Sequence, residues 1–316
     1  MTRHLDRYRF LQLDVFTTSA FSGNPLAVFP EAEGLSDELM QRIAREMNLS
    51  ETVFVLPTGA AGALRRLRIF TPTRELPMAG HPVVGTWNAL AREGVVPVPE
   101  GGNGWTRIMQ EIGIGVLPVE IEFRDTEPVR VVMTQGRFEI QRDVAEASAL
   151  ELITRGLSLS VEELDETLPV QVASTGVPML LIPIRTLEAL GRCRVNNSIF
   201  SEVGAELGIT EWYVFSRETL SGGEHRAHAR LFAPAIGITE DPATGGAAGP
   251  LASYLVHHGA LDLEPDEGFY RFIIEQGDFI ERPSRISVEI RGERGRIEET
   301  RVGGPSVVVA HGELSF

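Results

Sequence analysis

RIFTPTRELPMAGHPVVGTWNAL, Arg68 to Leu90, decides the fold. A strand-like run ends at Phe70, a proline-punctuated stretch follows, and after Gly80-His81-Pro82 a helix begins in which almost every residue is apolar. The plan returns in RLFAPAIGITEDPATGGAAGPLASYL, Arg230 to Leu255. A helix apolar on all sides has no face to offer water, so residues 83–91 and 247–256 are each expected to be wrapped by a sheet. The start of such a helix carries unpaired N–H groups and partial positive charge, and glycine there lets an anion come close.

Further matches make the chain read as one unit copied. SGNPLAVFP at 22–30 corresponds to TGVPMLLIP 153 residues on, and Leu49-Ser50-Glu51 to Ile209-Thr210-Glu211 at a spacing of 160. Arg68 and Arg230 stand 162 apart, Gly80 and Gly245 165, and Glu111-Ile112-Gly113 precedes Glu275-Gln276-Gly277 by 164. Collinear matches of this kind indicate loop insertions in an ancestral module. The expected fold class is α+β, with two pseudo-symmetric lobes, each a mostly antiparallel sheet rolled around a central apolar helix. At 316 residues two lobes are also the expectation from size.

Outside the focal segments, Ser36 caps a helix with Asp37 and Glu38 in its first turn, and Glu51 falls where that helix gives way to a strand. Residues 95–104 read as loop, 114–123 and 129–134 as strands, 143–166 as an acidic helical edge and 198–207 as a helix. The polar stretch Arg124 to Pro128 is taken as the lobe boundary, giving lobes of 1–126 and 127–303. The break Gly303-Gly304-Pro305 lets the last strand, 304–316, cross elsewhere.

With 29 basic against 44 acidic residues the net charge is −15, which argues against nucleic acid or anionic membrane as partner and for a small molecule. Cys193 alone builds neither a disulfide nor a cysteine metal site. MTRHLDRYRFLQLDVF at the start lacks a secretory pattern and no run approaches 18 apolar residues, so a cytoplasmic protein is expected. His225 and His228, three apart without a third ligand, read as residues of an exposed loop, and no metal site is expected. His257-His258 reads as a helix end meeting its last carbonyls. The glycine-rich stretches fit no nucleotide-binding pattern.

If equivalent loops of the two lobes face one another, Glu51, Gly80 and His81 converge with Asp241, Gly245 and Gly246 in a cleft. A carboxyl group screened from water has a raised pKa and can take and return a proton at neutral pH. Taken singly, each residue has a plainer reading: Glu51 a junction carboxylate, His81 a turn residue, Asp241 an Asx turn or cap. Glu211, the internal counterpart of Glu51, reads as structural.

NLSETVF at 48–54, FTPTRELPMAGHP at 70–82 and EDPATGGAAGPL at 240–251 resemble the PhzF-like phenazine-biosynthesis isomerase family, in order and spacing across nearly the whole chain. The resemblance implies a diaminopimelate epimerase-like fold whose last strand returns to the first lobe. It also implies a cytoplasmic homodimer that isomerises a small, cyclic carboxylate of the trans-2,3-dihydro-3-hydroxyanthranilate type without metal or organic cofactor. Glu51 would be the general acid/base, His81 and Asp241 would position substrate and share protons, and Gly80, Thr244, Gly245 and Gly246 would hold its carboxylate. Diaminopimelate epimerases carry two cysteines where this chain has Ala79 and Thr244, which excludes a two-thiol racemase. Many relatives have serine where this chain has Gly246, which bears on the substrate. The alternative is a non-catalytic binder of small carboxylates on the same fold.

Overall fold

Residues 7–316 are described by the structure, a computed structural model. The chain is mixed α/β, mostly strand with six α-helices among the described residues, and divides into two units. One runs to Met133 and takes back Gly303–Phe316; the other is Thr134–Val302.

The first unit comprises β1 (Arg7–Val15), β2 (Asn24–Phe29), α1 (Asp37–Met47), β3 (Glu51–Leu56), β4 (Arg65–Phe70), β5 (Glu75–Leu76), α2 (Gly80–Arg92), β6 (Gly104–Ile112), β7 (Gly115–Arg124) and β8 (Glu127–Thr134). The last strand of the chain, Ser306–Ser315, lies antiparallel to β1 from Arg7↔Ser315 to Val15↔Ser306. Across the sheet, β1–β2 is antiparallel, β2–β3 parallel, β3–β4 antiparallel, β4–β6 parallel, and β6–β7 and β7–β8 antiparallel.

Helix α2 packs against β1, β2, β3, β7 and the last strand. Every residue from Gly80 to Ala91 is buried, as an all-apolar helix requires. At Gly85 a Cβ would stand 2.6 Å from both Leu26 Cδ2 and Val15 Cγ2, so only glycine permits this approach of helix to sheet. Trp87, fully buried, donates from Nε1 to Gln110 Oε1 at 2.7 Å, satisfying the one polar atom of its ring. Helix α1, capped by Ser36, covers the sheet's other face, where Met40, Ile43 and Ala44 join Phe29, Phe54 and Phe70.

The stretch taken as the lobe boundary is a tight hairpin turn. Asp125 and Thr126 have φ of 50° and 69°, and Arg124 pairs directly with Glu127. Two consecutive left-handed residues match the twist of the flanking strands, so the polarity there belongs to a turn. The chain passes to the second unit after Met133.

The second unit comprises β9 (Glu139–Val144), α3 (Ala147–Gly156), β10 (Val170–Ser174), β11 (Met179–Pro183), α4 (Leu187–Arg192), α5 (Asn197–Leu207), β12 (Trp212–Ser216), β13 (His225–Ala233), β14 (Ile238–Asp241), α6 (Gly245–His257), β15 (Phe269–Gln276), β16 (Ser284–Glu293) and β17 (Arg296–Gly304). Strand β9 lies antiparallel to β10. From β10 onward, β10–β11, β11–β12, β12–β13, β13–β15 and β15–β16 alternate antiparallel and parallel in the same order as the five pairings from β1 to β7.

Helix α6, buried from Ala247 to Val256, packs on β10, β15 and β16. Its Gly249 leaves room for Gln135, whose Nε2 donates to Gly245 O at 2.8 Å while its Oε1 accepts from Thr175 Oγ1 at 2.6 Å. Those bonds pin the first turn of α6. Helices α3 and α5 build a separate apolar layer on the unit's outer face, where Phe200 stacks on Trp212 at 4.7 Å.

Candidate active site

Glu51 is the first residue of β3, opposite Leu26 of parallel β2. His81 is the second residue of α2. Both are buried, at 8% and 5% exposure, and His81 Nε2 lies 3.3 Å from Glu51 Oε2. Burial pushes the His81 imidazole down to about 3, so at neutral pH the contact joins a neutral ring to a carboxyl group and is not an ion pair. The residue before α2, Ala79, offers no side-chain cap, which leaves the N–H groups of the first turn to other acceptors. The first unit therefore brings together Glu51, Gly80 and His81.

In the second unit the corresponding helix start is richer in polar side chains. Asp241 ends β14, buried at 6% exposure, and Thr244 precedes α6. Thr244 Oγ1 donates to Asp241 Oδ2. Gln276, wholly buried, ties the group together: its Nε2 donates to Asp241 O at 2.8 Å and to Thr244 Oγ1 at 3.0 Å. Its Oε1 accepts from Thr244 N at 3.1 Å and from Tyr213 Oη at 2.9 Å. The first i→i−4 bond of α6 is Ala248 N to Thr244 O, so the N–H groups of Gly245 and Gly246 precede the helical ladder. Asp241, Thr244, Gly245 and Gly246 thus share one rigid corner. Gln276 and Tyr213 were missed by sequence reasoning, and only the match of Glu275-Gln276-Gly277 to the first half hinted at the former.

Glu211, read from sequence as structural, sits in a perturbing environment. Its carboxyl is raised to about 7, first by burial and then by the charge of Asp241.

The histidines correct another expectation. His225 and His228 lie on β13, not on an exposed loop, and His228 is fully buried. Their Nδ1 atoms meet the two oxygens of buried Glu275 at 2.6 and 3.0 Å. Glu275 also accepts from the backbone N–H groups of Leu220 and Ser221, so these imidazoles anchor the loop before β13. Likewise His258 turns its Nε2 to Gln171 Oε1 at 2.9 Å, away from the helix carbonyls. Trp105 lies on β6 with Arg130 over its ring. Among the described residues no helix is long and apolar enough to cross a membrane.

A Cβ at Gly246 would meet nothing within 4 Å. Gly246→Ser is therefore expected to fold without strain and to gain about 0.5 kcal/mol from reduced chain entropy. Urea unfolding checks this: a midpoint below that of the parent would mean that the space is not open.

Compared with known proteins, residues 13–312 match the family described as phenazine biosynthesis-like protein, PhzC-PhzF. An uncharacterized isomerase of Clostridium acetobutylicum is 35% identical over 308 residues, covering 98% of each chain. The trans-2,3-dihydro-3-hydroxyanthranilate isomerase of Pseudomonas chlororaphis is 32% identical over 308 residues, covering 97% of this chain and 99% of the other. The crystal structure of a PhzF-family phenazine biosynthesis protein of Bacillus anthracis superposes with a TM-score of 0.84 at 27% identity, over 98% of this chain and 99% of that one.

Proposed function

This chain belongs to the phenazine biosynthesis-like family and is an isomerase of it, and on that premise we propose that it moves a proton within a small, cyclic carboxylate by way of Glu51. The observation that carries the reading is the buried Glu51–His81 pair at the start of a helix with no side-chain cap. Glu51, as carboxylate, takes a proton from a carbon of the substrate, and the electron pair of the broken C–H bond moves into the conjugated system. The carboxylic acid so formed returns the proton at another carbon, and a double bond changes place. No electron leaves the substrate, so the cycle balances without an added redox partner.

Neutral His81 suits this role, since an imidazole with a pKa near 3 neither competes for the proton nor pairs with the carboxylate as a cation. Asp241 is proposed to orient substrate and share protons. The N–H groups at Gly80, Gly245 and Gly246, with Thr244, are proposed to bind its carboxylate, in keeping with helix starts as anion sites. A substrate of the trans-2,3-dihydro-3-hydroxyanthranilate type fits the Pseudomonas chlororaphis relative. A cytoplasmic homodimer belongs to the same proposal, and a sedimentation mass near one chain of 34.6 kDa would remove the dimer from it.

The test is turnover in deuterium oxide with trans-2,3-dihydro-3-hydroxyanthranilate and a panel of cyclic carboxylates. The expected result is turnover that collapses in Glu51→Gln, with deuterium entering the product to the extent that the Glu51 acid exchanges with solvent before it returns the proton. Turnover undiminished in Glu51→Gln would refute Glu51 as the base.

A further inference from the structure

Strand β4 has β3 along the whole of one edge, from Thr52↔Phe70 to Leu56↔Arg66. Its other edge is divided. β5 pairs antiparallel with Ile69 and Phe70 at the end of β4, and β6 pairs parallel with Arg65 and Arg66 at its start. The chain leaving β5 and the chain leaving β6 therefore approach each other along that edge, and they meet where Pro77 follows one strand and Gly113 the other.

A Cβ at Gly113 would stand 2.7 Å from Pro77 Cα, 2.9 Å from Pro77 O and 3.1 Å from Pro77 Cβ. Gly113 has no left-handed φ, so the close approach alone calls for glycine there. The second unit repeats the arrangement. β12 takes one edge of β13, β14 and β15 divide the other, and a Cβ at Gly277 would stand 2.5 Å from Pro242 O. In each unit the proline so met lies three residues before the buried central helix, Pro77 before Gly80 and Pro242 before Gly245.

In the first unit that short loop delivers His81 to Glu51, with Nε2 3.3 Å from Oε2. Among the described residues this buried Nε2 makes no hydrogen bond, so the place where α2 begins sets the distance. Which side would yield to an added methyl follows from the pairing. β6 is nine residues long and paired to β7 throughout, whereas β5 has two residues. The hairpin holds and the loop moves.

We propose that Gly113 is a positioning residue of the Glu51–His81 site: the bare tip of the β6–β7 hairpin is the stop on which the loop from β5 rests, and it sets where α2 starts relative to β3. This rests on the reading of Glu51 as the base given above.

The test is Gly113→Ala, with Ile114→Ala as the control at the same tip. Pro77 and Gly113 are both exposed, so the first variant is expected to fold, and Ile114 is 55% exposed. Carbon atoms in ordinary contact stand about 3.5–4.0 Å apart, so the methyl drives the loop back by about 1 Å. A full misplacement of about 1 Å costs about 100-fold in rate, and three residues of loop absorb part of it, so kcat is expected to fall about tenfold. Ile114→Ala is expected to leave kcat unchanged.

The ring nitrogen resonances of His81, recorded without substrate, supply a readout that does not depend on turnover. They are expected to move in Gly113→Ala and to stay in place in Ile114→Ala. If Gly113→Ala turns over within about twofold of the parent while Glu51→Gln collapses, the stop is refuted and the reading of Glu51 stands. An equal loss of kcat in Ile114→Ala also overturns the proposal, because the integrity of the hairpin would then be what matters. If the His81 resonances move in Gly113→Ala while Glu51→Gln keeps its turnover, the stop stands and the reading of Glu51 falls.

Discussion

Glu51→Gln is expected to lower turnover by about 10²–10⁴-fold while leaving the fold intact, the range general acid–base catalysis supplies. Glutamine has nearly the same volume, and the site lies at the first residue of β3, where the backbone pairing with Leu26 does not depend on the side chain. What the change removes is the group that can be carboxylate in one half-cycle and acid in the next. Substrate affinity should change little, so the loss should fall on kcat. Circular dichroism and the urea midpoint serve as controls. If the variant turned over within about threefold of the parent, Glu51 would not be the base.

The largest stability effect is expected away from the site, at Glu275. Its side chain is wholly buried and accepts four hydrogen bonds, from Leu220 N at 2.7 Å, Ser221 N at 2.9 Å and the Nδ1 atoms of His225 and His228. The bonds to His228, Leu220, Ser221 and His225 outweigh burial and hold its pKa far below the ordinary carboxylate value. Glu275→Ala strands two backbone donors and two imidazoles, each left group costing about 1–3 kcal/mol, so a total of about 4 kcal/mol is reasonable.

With a urea m-value of about 2 kcal/mol per molar, the midpoint should fall by about 2 M. The counterpart Glu111 is the internal control. It accepts from Thr58 and lies 3.7 Å from Arg66, but its side chain is a quarter exposed, and Glu111→Ala should cost about 1 kcal/mol. Equal losses at both positions would mean that burial does not govern the difference. Because the Glu275 pKa is depressed, its contribution is present above pH 4.5 and declines as pH falls below that value.

Much of this was legible in the residue order, for identifiable reasons. An all-apolar helix has one solution, enclosure, so α2 and α6 could be located and their surroundings anticipated from composition alone. Glu51 and His81 could be singled out because their motif is local: a strand start and a helix start carry recognisable signals within a few residues. The hairpin at Asp125-Thr126 was mistaken for a boundary because polar turn residues look the same whether the chain turns back or moves on.

The environment of Glu211 was not legible for a different reason. Its carboxyl is raised first by burial and then by Asp241, 30 residues away in sequence and two strands away in the sheet, and no local pattern encodes either. The same holds for the His225–Glu275–His228 cluster, assembled by the parallel pairing of β13 with β15. Periodicity, turn residues and internal repetition are properties of the chain read along its length, and they determined the two apolar helices, the strands around them and the motif residues. Which carboxyl is raised, which imidazole stays neutral and which glutamate is buried depend on desolvation and charge across strands, and only the tertiary structure decided them.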